Sequence, residues 1–308
     1  MFASGVSPAR RPAVPAVIYG EAVPRQVDAR SYRRVFDEVA EDYDRHRPTY
    51  PDVLVDRACA GIGPGAAVLE IGCGTGQLTR SLLARGLRVR AVEPGQQLIV
   101  RARDRCDGLG DVQFVDSCLE DASLQRAQYS AVFSASAIHW IDPDVSWRKA
   151  ADALVDGGSL ALVSYFGLDD PRSADDQQAL RAAVRTVAPA AADARPIYRD
   201  LAGTLAGVAA RRRNVSEVWA WLGGYEIARG YAADLFDDAH LAAVPILLEH
   251  TADELSALLG TMSFWAGLSP RQRDALVAEN QAFHRRIGRP IRSSTVACLV
   301  VARRQPRT

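Results

Sequence analysis

Val68-Leu69-Glu70-Ile71-Gly72-Cys73-Gly74-Thr75-Gly76 is an apolar run that ends in alternating glycines. A short apolar run stopped by glycine reads as a buried strand entering a tight turn, and the segment from Gln77 to Ala84, closed by Gly86, reads as the helix that follows. Glycines at such a junction let the backbone turn sharply and let a ligand press against the main chain. The helix N-terminus beyond them offers unpaired N–H groups and the positive end of a dipole. An ordinary strand–helix turn that needs glycine would carry the same letters, so the motif alone leaves both readings open. Spacing separates the ligand classes. Dinucleotide sites use G-x-G-x-x-G to seat a pyrophosphate, whereas this stretch is E-x-G-x-G-x-G. An acid at Glu70 opposes a pyrophosphate and suits a ligand that carries an ammonium and a sulfonium.

Working outward, strand and helix alternate. Strands are expected at 67–71, 88–92, 111–115, 129–134 and 159–165. Helices are expected over 77–84 and 96–106, and through Val145, Ala151 and Leu154 to a stop at Gly157-Gly158. Strands separated by helices of this length imply βαβ units and a parallel sheet. Upstream, a helix beginning near Arg30 carries Val35, Val39 and Tyr43 at helical spacing. It breaks at Arg47-Pro48-Thr49-Tyr50-Pro51, and Pro51 opens a second helix with Leu54, Val55, Ala58 and Cys59 on its apolar face. Residues 1–28, rich in Pro, Ala and Arg, read as a flexible arm. After Phe166 the rhythm is lost. Residues 169–243 read as mainly helical, with Trp219, Trp221, Tyr225, Tyr231 and Phe236. Strands at 244–249 and 295–302 and helices at 252–259 and 270–287 follow. The expected organisation is an arm (1–28), a binding core (29–166), a helical cap or lid (167–243) and a closing part that completes the sheet (244–308).

Composition narrows the function classes. The 308 residues carry zero formal net charge, so neither a nucleic acid nor an anionic membrane is implied as a partner. Hydrophobic residues make up 48%, enough for a sizeable core. The five cysteines are scattered without C-x-x-C spacing, which argues against a disulfide framework or a zinc site and fits a reducing cytosol. Prolines at 8, 12 and 15 interrupt any apolar leader, and no apolar run has the length of a membrane span. A cytoplasmic enzyme without a metal is the expectation.

A second signal is Glu93, at the end of the second strand and one βα unit beyond the glycines. An acid there accepts hydrogen bonds from both hydroxyls of a ribose; a solvated strand end is the plainer alternative. His139, just after the fourth strand, stands where ligands sit in doubly wound sheets. It reads either as a general base near neutral pH or as a hydrogen-bonding residue that shapes the pocket.

Taken together, Phe36-Asp37-Glu38-Val39-Ala40-Glu41-Asp42-Tyr43-Asp44, Arg47-Pro48-Thr49-Tyr50-Pro51, Glu70 to Gly76, Val92-Glu93-Pro94, Ala137-Ile138-His139-Trp140 and Gly157-Gly158 resemble the class I S-adenosylmethionine-dependent methyltransferases. Within them the chain is similar to the small-molecule branch that includes trans-aconitate methyltransferase-like enzymes. The resemblance is strong over 35–166 and weak over 244–304. It implies a Rossmann-like, doubly wound seven-stranded sheet with a helical insert, and S-adenosyl-L-methionine as cofactor. By position it implies that Gly72, Gly74 and Gly76 line the methionine and ribose part and that Glu70 helps hold the amino group. Glu93 binds the ribose, and Pro94 to Leu98 flank the adenine. The family's acid for the adenine N6 is replaced by Cys118, followed by Leu119, whose backbone N–H remains available; Glu120 and Asp121 are the nearby acids. Ser134 and Ala135 approach through their backbone, and Tyr43, Arg47 and Tyr50 reach the methionine carboxylate. The implied activity is methyl transfer to a small, largely apolar molecule in secondary metabolism, with His139 beside the transferred methyl. The alternative is an enzyme of the same fold that cyclises or rearranges its substrate without net methyl transfer.

Overall fold

The structure is a computed structural model that describes residues 37, 40–192, 197–224 and 230–306, and the backbone of 17–18 and 21–22. Apart from a short antiparallel pairing of 17–18 with 21–22, the strands of its main sheet are β1 (Ala67–Ile71), β2 (Arg88–Glu93), β3 (Val112–Asp116), β4 (Tyr129–Ala135), β5 (Leu154–Gly167), β6 (His240–His250) and β7 (Ile291–Arg303). They form one sheet in the order β3-β2-β1-β4-β5-β7-β6. The first five run parallel, and β7 lies antiparallel between β5 and β6. The chain reverses its direction of travel between β1 and β4, which opens a crevice beyond their C-terminal ends.

Each strand alternates between two apolar layers, as a pleated sheet buried on both faces must. Leu69, Ile71, Val132, Leu160, Leu162, Val296 and Val300 face one layer. Val68, Ala91, Ala131, Phe133, Ala161, Val163, Ala297 and Leu299 face the other. The second layer is roofed by α2 (Asp52–Ala58), α3 (Gln77–Leu83) and α4 (Gln96–Cys106) through Leu54, Val55, Leu82, Ala102 and Cys106. The first is roofed by α5 (Pro143–Ala153), α8 (Leu201–Ala209) and α9 (Val215–Gly223) through Trp147, Val208, Val218 and Trp219. Two helices from the stretch expected to cap the site therefore form the sheet's own covering.

A separate apolar cluster joins α6 (Ala174–Val187), α7 (Pro189–Ala192), α11 (Ser263–Ala266) and α12 (Pro270–Ile287) through Val184, Ala188, Phe264, Trp265, Leu268 and Leu276. α10 (Ala252–Gly260) packs on α12, and its buried Leu255 anchors it. The starts of α10 and α12 are capping boxes, Thr251 with Glu254 and Ser269 with Gln272. The helices at 252–287 thus build a small helical unit together with 174–192. α10 also rests on α1 (Ala40–His46).

Some boundaries differ from the sequence reading. The helix expected to run to Gly157-Gly158 ends at Ala153, and Leu154 already pairs with Tyr129. Gly157 holds φ +73°, and a Cβ at Gly158 would meet Val155 O at 2.9 Å and Ser130 O at 3.1 Å. These glycines bend a strand at a register shift and do not cap a helix. β3 starts one residue later than expected, at Val112. β6 begins at His240, so the boundary set after residue 243 falls inside a strand. The antiparallel ladder from His240↔Val301 to His250↔Ile291 supplies backbone hydrogen bonds where apolar alternation fades. Pro245 is tolerated there because β6 is an edge strand. The arm at 1–28, the start of the first helix with Val35 and Val39, and Tyr225 lie outside the fully described residues. Among the described residues no helix is long and apolar enough to cross a membrane.

Candidate functional site

The site is built on the glycine turn. Gly72 N–H donates to Val92 O at 2.8 Å, which ties the turn to β2. Gly72 holds φ +70°, and a Cβ there would lie 2.3 Å from the Ala137 Cβ. The turn and the loop after β4 therefore approach as closely as backbone allows, and only glycine permits it. Gly74, at φ +55°, donates its N–H to Glu93 Oε2 at 3.0 Å. Glu93 Oε1 accepts from Gly95 N–H at 2.9 Å. The Glu93 carboxylate, 6% exposed, is thus aimed by two backbone donors at the mouth of the crevice. Asp37 Oδ1 accepts from Gln97 N–H at 2.6 Å and Leu98 N–H at 3.1 Å, so a residue before α1 caps α4.

A cleft opens at these strand ends. Of the residues expected from sequence it brings together Tyr43, Arg47, Gly72, Gly74, Glu93, Pro94, Leu98, Cys118, Leu119 and Ala135. Ser117, Ser136, Ala137, Trp140 and Ile141 join them without having been expected as binding residues. For Trp140 the sequence suggested packing. For Ser136 the telling feature is a positive φ of 53°, which no letter of the sequence announces. Arg47 stacks over the Tyr43 ring at 5.0 Å, and its Nε and Nη2 donate to Thr261 Oγ1 at 2.9 Å and Thr261 O at 2.8 Å. One wall of the cleft is therefore fastened to the end of α10.

Gly76, Glu70 and His139 do not line the cleft. Gly76, at φ +83°, lets α3 close on α4, since a Cβ would sit 3.2 Å from Ala102 and 3.3 Å from Cys106 Sγ. Glu70 lies on the α3 side of β1, fully buried, where its Oε2 accepts from Thr79 Oγ1 at 2.6 Å. Burial pushes its carboxyl up to about 8, against the Thr79 hydrogen bond and helped by the negative charge of Glu93. His139, 3% exposed, sits in the turn Ile138–Trp140 with Trp140 at 5.6 Å and Trp219 at 6.4 Å between ring centres. Burial lowers its pKa to about 3, so the ring is neutral at physiological pH.

The residues fit S-adenosylmethionine. The Gly72–Gly74 turn is a cradle that a side chain would fill, and a carboxylate aimed by two N–H groups faces the same space. The wall beside it is apolar and aromatic.

Residues 68–158 match the methyltransferase domain family. An uncharacterized methyltransferase of Mycobacterium tuberculosis is 35% identical over 130 residues, 42% of this chain and 51% of the relative. A malonyl-[acyl-carrier protein] O-methyltransferase of Acetivibrio thermocellus is 29% identical over 147 residues, 46% of this chain and 51% of the relative. The chain thus spans about half the length of the curated relatives it matches. In fold it is similar to a solved structure from Anaeromyxobacter dehalogenans assigned as a type II methyltransferase, with a TM-score of 0.52 and 22% identity over 85% of this chain and 99% of that one. By this domain match residues 68–158 carry a methyltransferase domain, and the sheet has the fold of the similar solved methyltransferase structure.

Proposed function

We propose that the protein transfers the methyl group of S-adenosylmethionine to a small, largely apolar acceptor. The observation that carries the reading is one cleft shared by the Glu93 carboxylate, the glycine cradle and an apolar wall of Leu119, Trp140 and Ile141. Gly72, Gly74 and the backbone at Ala135 hold the amino-acid part, with Tyr43 and Arg47 above it. Glu93 takes the ribose hydroxyls, and Pro94, Leu98, Cys118 and Leu119 enclose the adenine. When bound, the cofactor supplies a methyl group already activated on a sulfonium. The protein's own work is to align donor and acceptor and to keep water out.

His139 acts in this scheme as a wedge. Its burial and its depressed pKa suit a neutral filler between Trp140 and Trp219 that sets the angle of the 138–141 loop. Trp140 and Ile141 reach the cleft from that loop.

Calorimetry with S-adenosylmethionine, S-adenosylhomocysteine and NAD tests the cofactor assignment. The first two should bind and NAD should not; tight NAD binding without S-adenosylmethionine binding ends it. Release of S-adenosylhomocysteine across a panel of apolar hydroxy, amino and carboxy compounds tests transfer. Turnover confined to polar or macromolecular acceptors would remove the acceptor class.

A further inference from the structure

Ser136 is the residue at which the chain leaves β4, and its φ of +53° is unusual for anything but glycine. Backbone outliers of this kind persist where their surroundings hold them, and they gather at binding sites. Here the surroundings are specific. Ser136 N–H donates to Val163 O at 2.9 Å, and its Oγ lies 2.8 Å from Ser164 Oγ and 3.3 Å from Tyr50 Oη. Ser136 lines the cleft, between the glycine turn and the apolar residues Ala137, Trp140 and Ile141.

The proton count in this cluster is directional. Ser164, on β5, is completely buried, and among the described residues its hydroxyl meets only Ser136 Oγ. A buried hydroxyl whose proton finds no acceptor is costly, so Ser164 donates to Ser136. Among the described residues the Ser136 proton then has two outlets. One is Tyr50 Oη at 3.3 Å, long for a bond between hydroxyls. The other is the cleft. Glycine would occupy this φ without strain, yet it would remove the hydroxyl that the arrangement presents. Elsewhere along the wall, Glu93 is an acceptor facing N–H donors, and the Arg47 guanidinium is hooked to Thr261.

We propose that the Ser136 hydroxyl, backed by Ser164, is the polar anchor for the methyl acceptor, which is therefore an apolar molecule carrying an oxygen that accepts a hydrogen bond. The inference rests on the reading of this cleft as the methyl-transfer site. It narrows the acceptor class to carbonyl, carboxylate or hydroxyl compounds and makes Ser136 the residue that selects them.

The test uses small aromatic probes. Ligand-observed NMR titrations compare 4-methylphenol, 4-methylacetophenone and p-toluate with p-xylene, on the wild-type chain, S136G and S136A, with and without S-adenosylhomocysteine. In the wild type at least one oxygenated probe should bind about tenfold more tightly than p-xylene, the scale of one hydrogen bond. In both variants that preference should vanish. S136G relieves the backbone strain as it removes the hydroxyl, so a loss there is not a folding defect. Equal binding of all four probes to the wild type overturns the proposal, as does a preference that survives S136G. Failure of the methyl-transfer reading looks different: S-adenosylhomocysteine fails to bind the wild type, while the Ser136-dependent preference is judged in the same titrations.

Discussion

Glu93 and Gly72 are the two residues whose chemistry is hardest to replace. Glu93 has each oxygen on a backbone N–H, so its carboxylate is oriented before any ligand arrives. Glu93→Ala should weaken S-adenosylmethionine binding by about 1–3 kcal/mol, the loss expected for hydrogen bonds to a charged group. Calorimetry on the folded variant reads this, and an unchanged affinity would end the ribose assignment. Gly72→Ala fails for two reasons that a control can separate. Both Gly72, at φ +70°, and Gly61, at φ +80°, strain any side chain, but a Cβ at Gly61 meets nothing within 4 Å. At Gly72 it lands 2.3 Å from Ala137 Cβ. Each alanine should cost about 1 kcal/mol through backbone strain. Gly72→Ala should lose more than that, together with cofactor affinity, because the 135–137 loop must move. Equal urea midpoints and equal affinities for the two variants would show that the close approach is dispensable.

Among the elements, α9 carries the clearest consequence. It begins with the Asn214 side chain accepting from Ser216 N–H and ends at Gly224 in the left-handed region. Its Trp219 is completely buried and meets Phe166 of β5 edge-on at 5.8 Å. Trp221, on the same helix, is only partly buried and lies under the Arg199 guanidinium at 3.8 Å. Trp219→Ala should therefore cost about 3–5 kcal/mol of unfolding free energy, as a large cavity in a shared core does. Trp221→Ala should cost clearly less. Urea denaturation of the pair checks the ordering; equal losses would mean that α9 is not part of the sheet's covering layer. The unit of α6, α10 and α12 has its own apolar cluster and meets the sheet through polar ties. Asp176 of α6 takes Arg289 through both oxygens, at 2.7 and 2.8 Å, and Arg292 N–H at 2.8 Å at the start of β7. This clamp joins the helical unit to the strand that threads the middle of the antiparallel edge.

For the whole molecule, two buried groups bend the stability curve in opposite directions. Glu70 titrates near 8 in the fold, above its ordinary 4.5, so the folded state holds its proton more tightly. That contribution is complete below about 4.5 and is lost as pH rises through 8. His139 titrates near 3 instead of 6.5, so its contribution is complete above 6.5 and is lost as pH falls towards 3. Glu70→Gln should flatten the decline between 4.5 and 8, and His139→Gln the decline between 6.5 and 3, in urea midpoints taken across pH. A wild-type limb that persists unchanged in its variant would show that another group titrates there. The sequence by itself determined the parallel half of the sheet, because β1 and β2 are short apolar runs bounded by glycine, β4 and β5 each carry an apolar run, and their βα connections admit one handedness. It also singled out the glycine turn and Glu93, which the structure joins through the Gly74 N–H and Glu93 Oε2. Only the tertiary structure decided which helices roof the sheet and which stand apart, since apolar faces of α6 and α9 look alike until their partners are known. It alone placed Glu70 behind the strand and His139 behind Trp140, because a one-residue step along a pleated strand or a tight turn exchanges cleft for core. And it alone disclosed Ser136, whose left-handed backbone and hydroxyl contact with Ser164 arise from the meeting of β4 and β5, residues 28 positions apart in the chain.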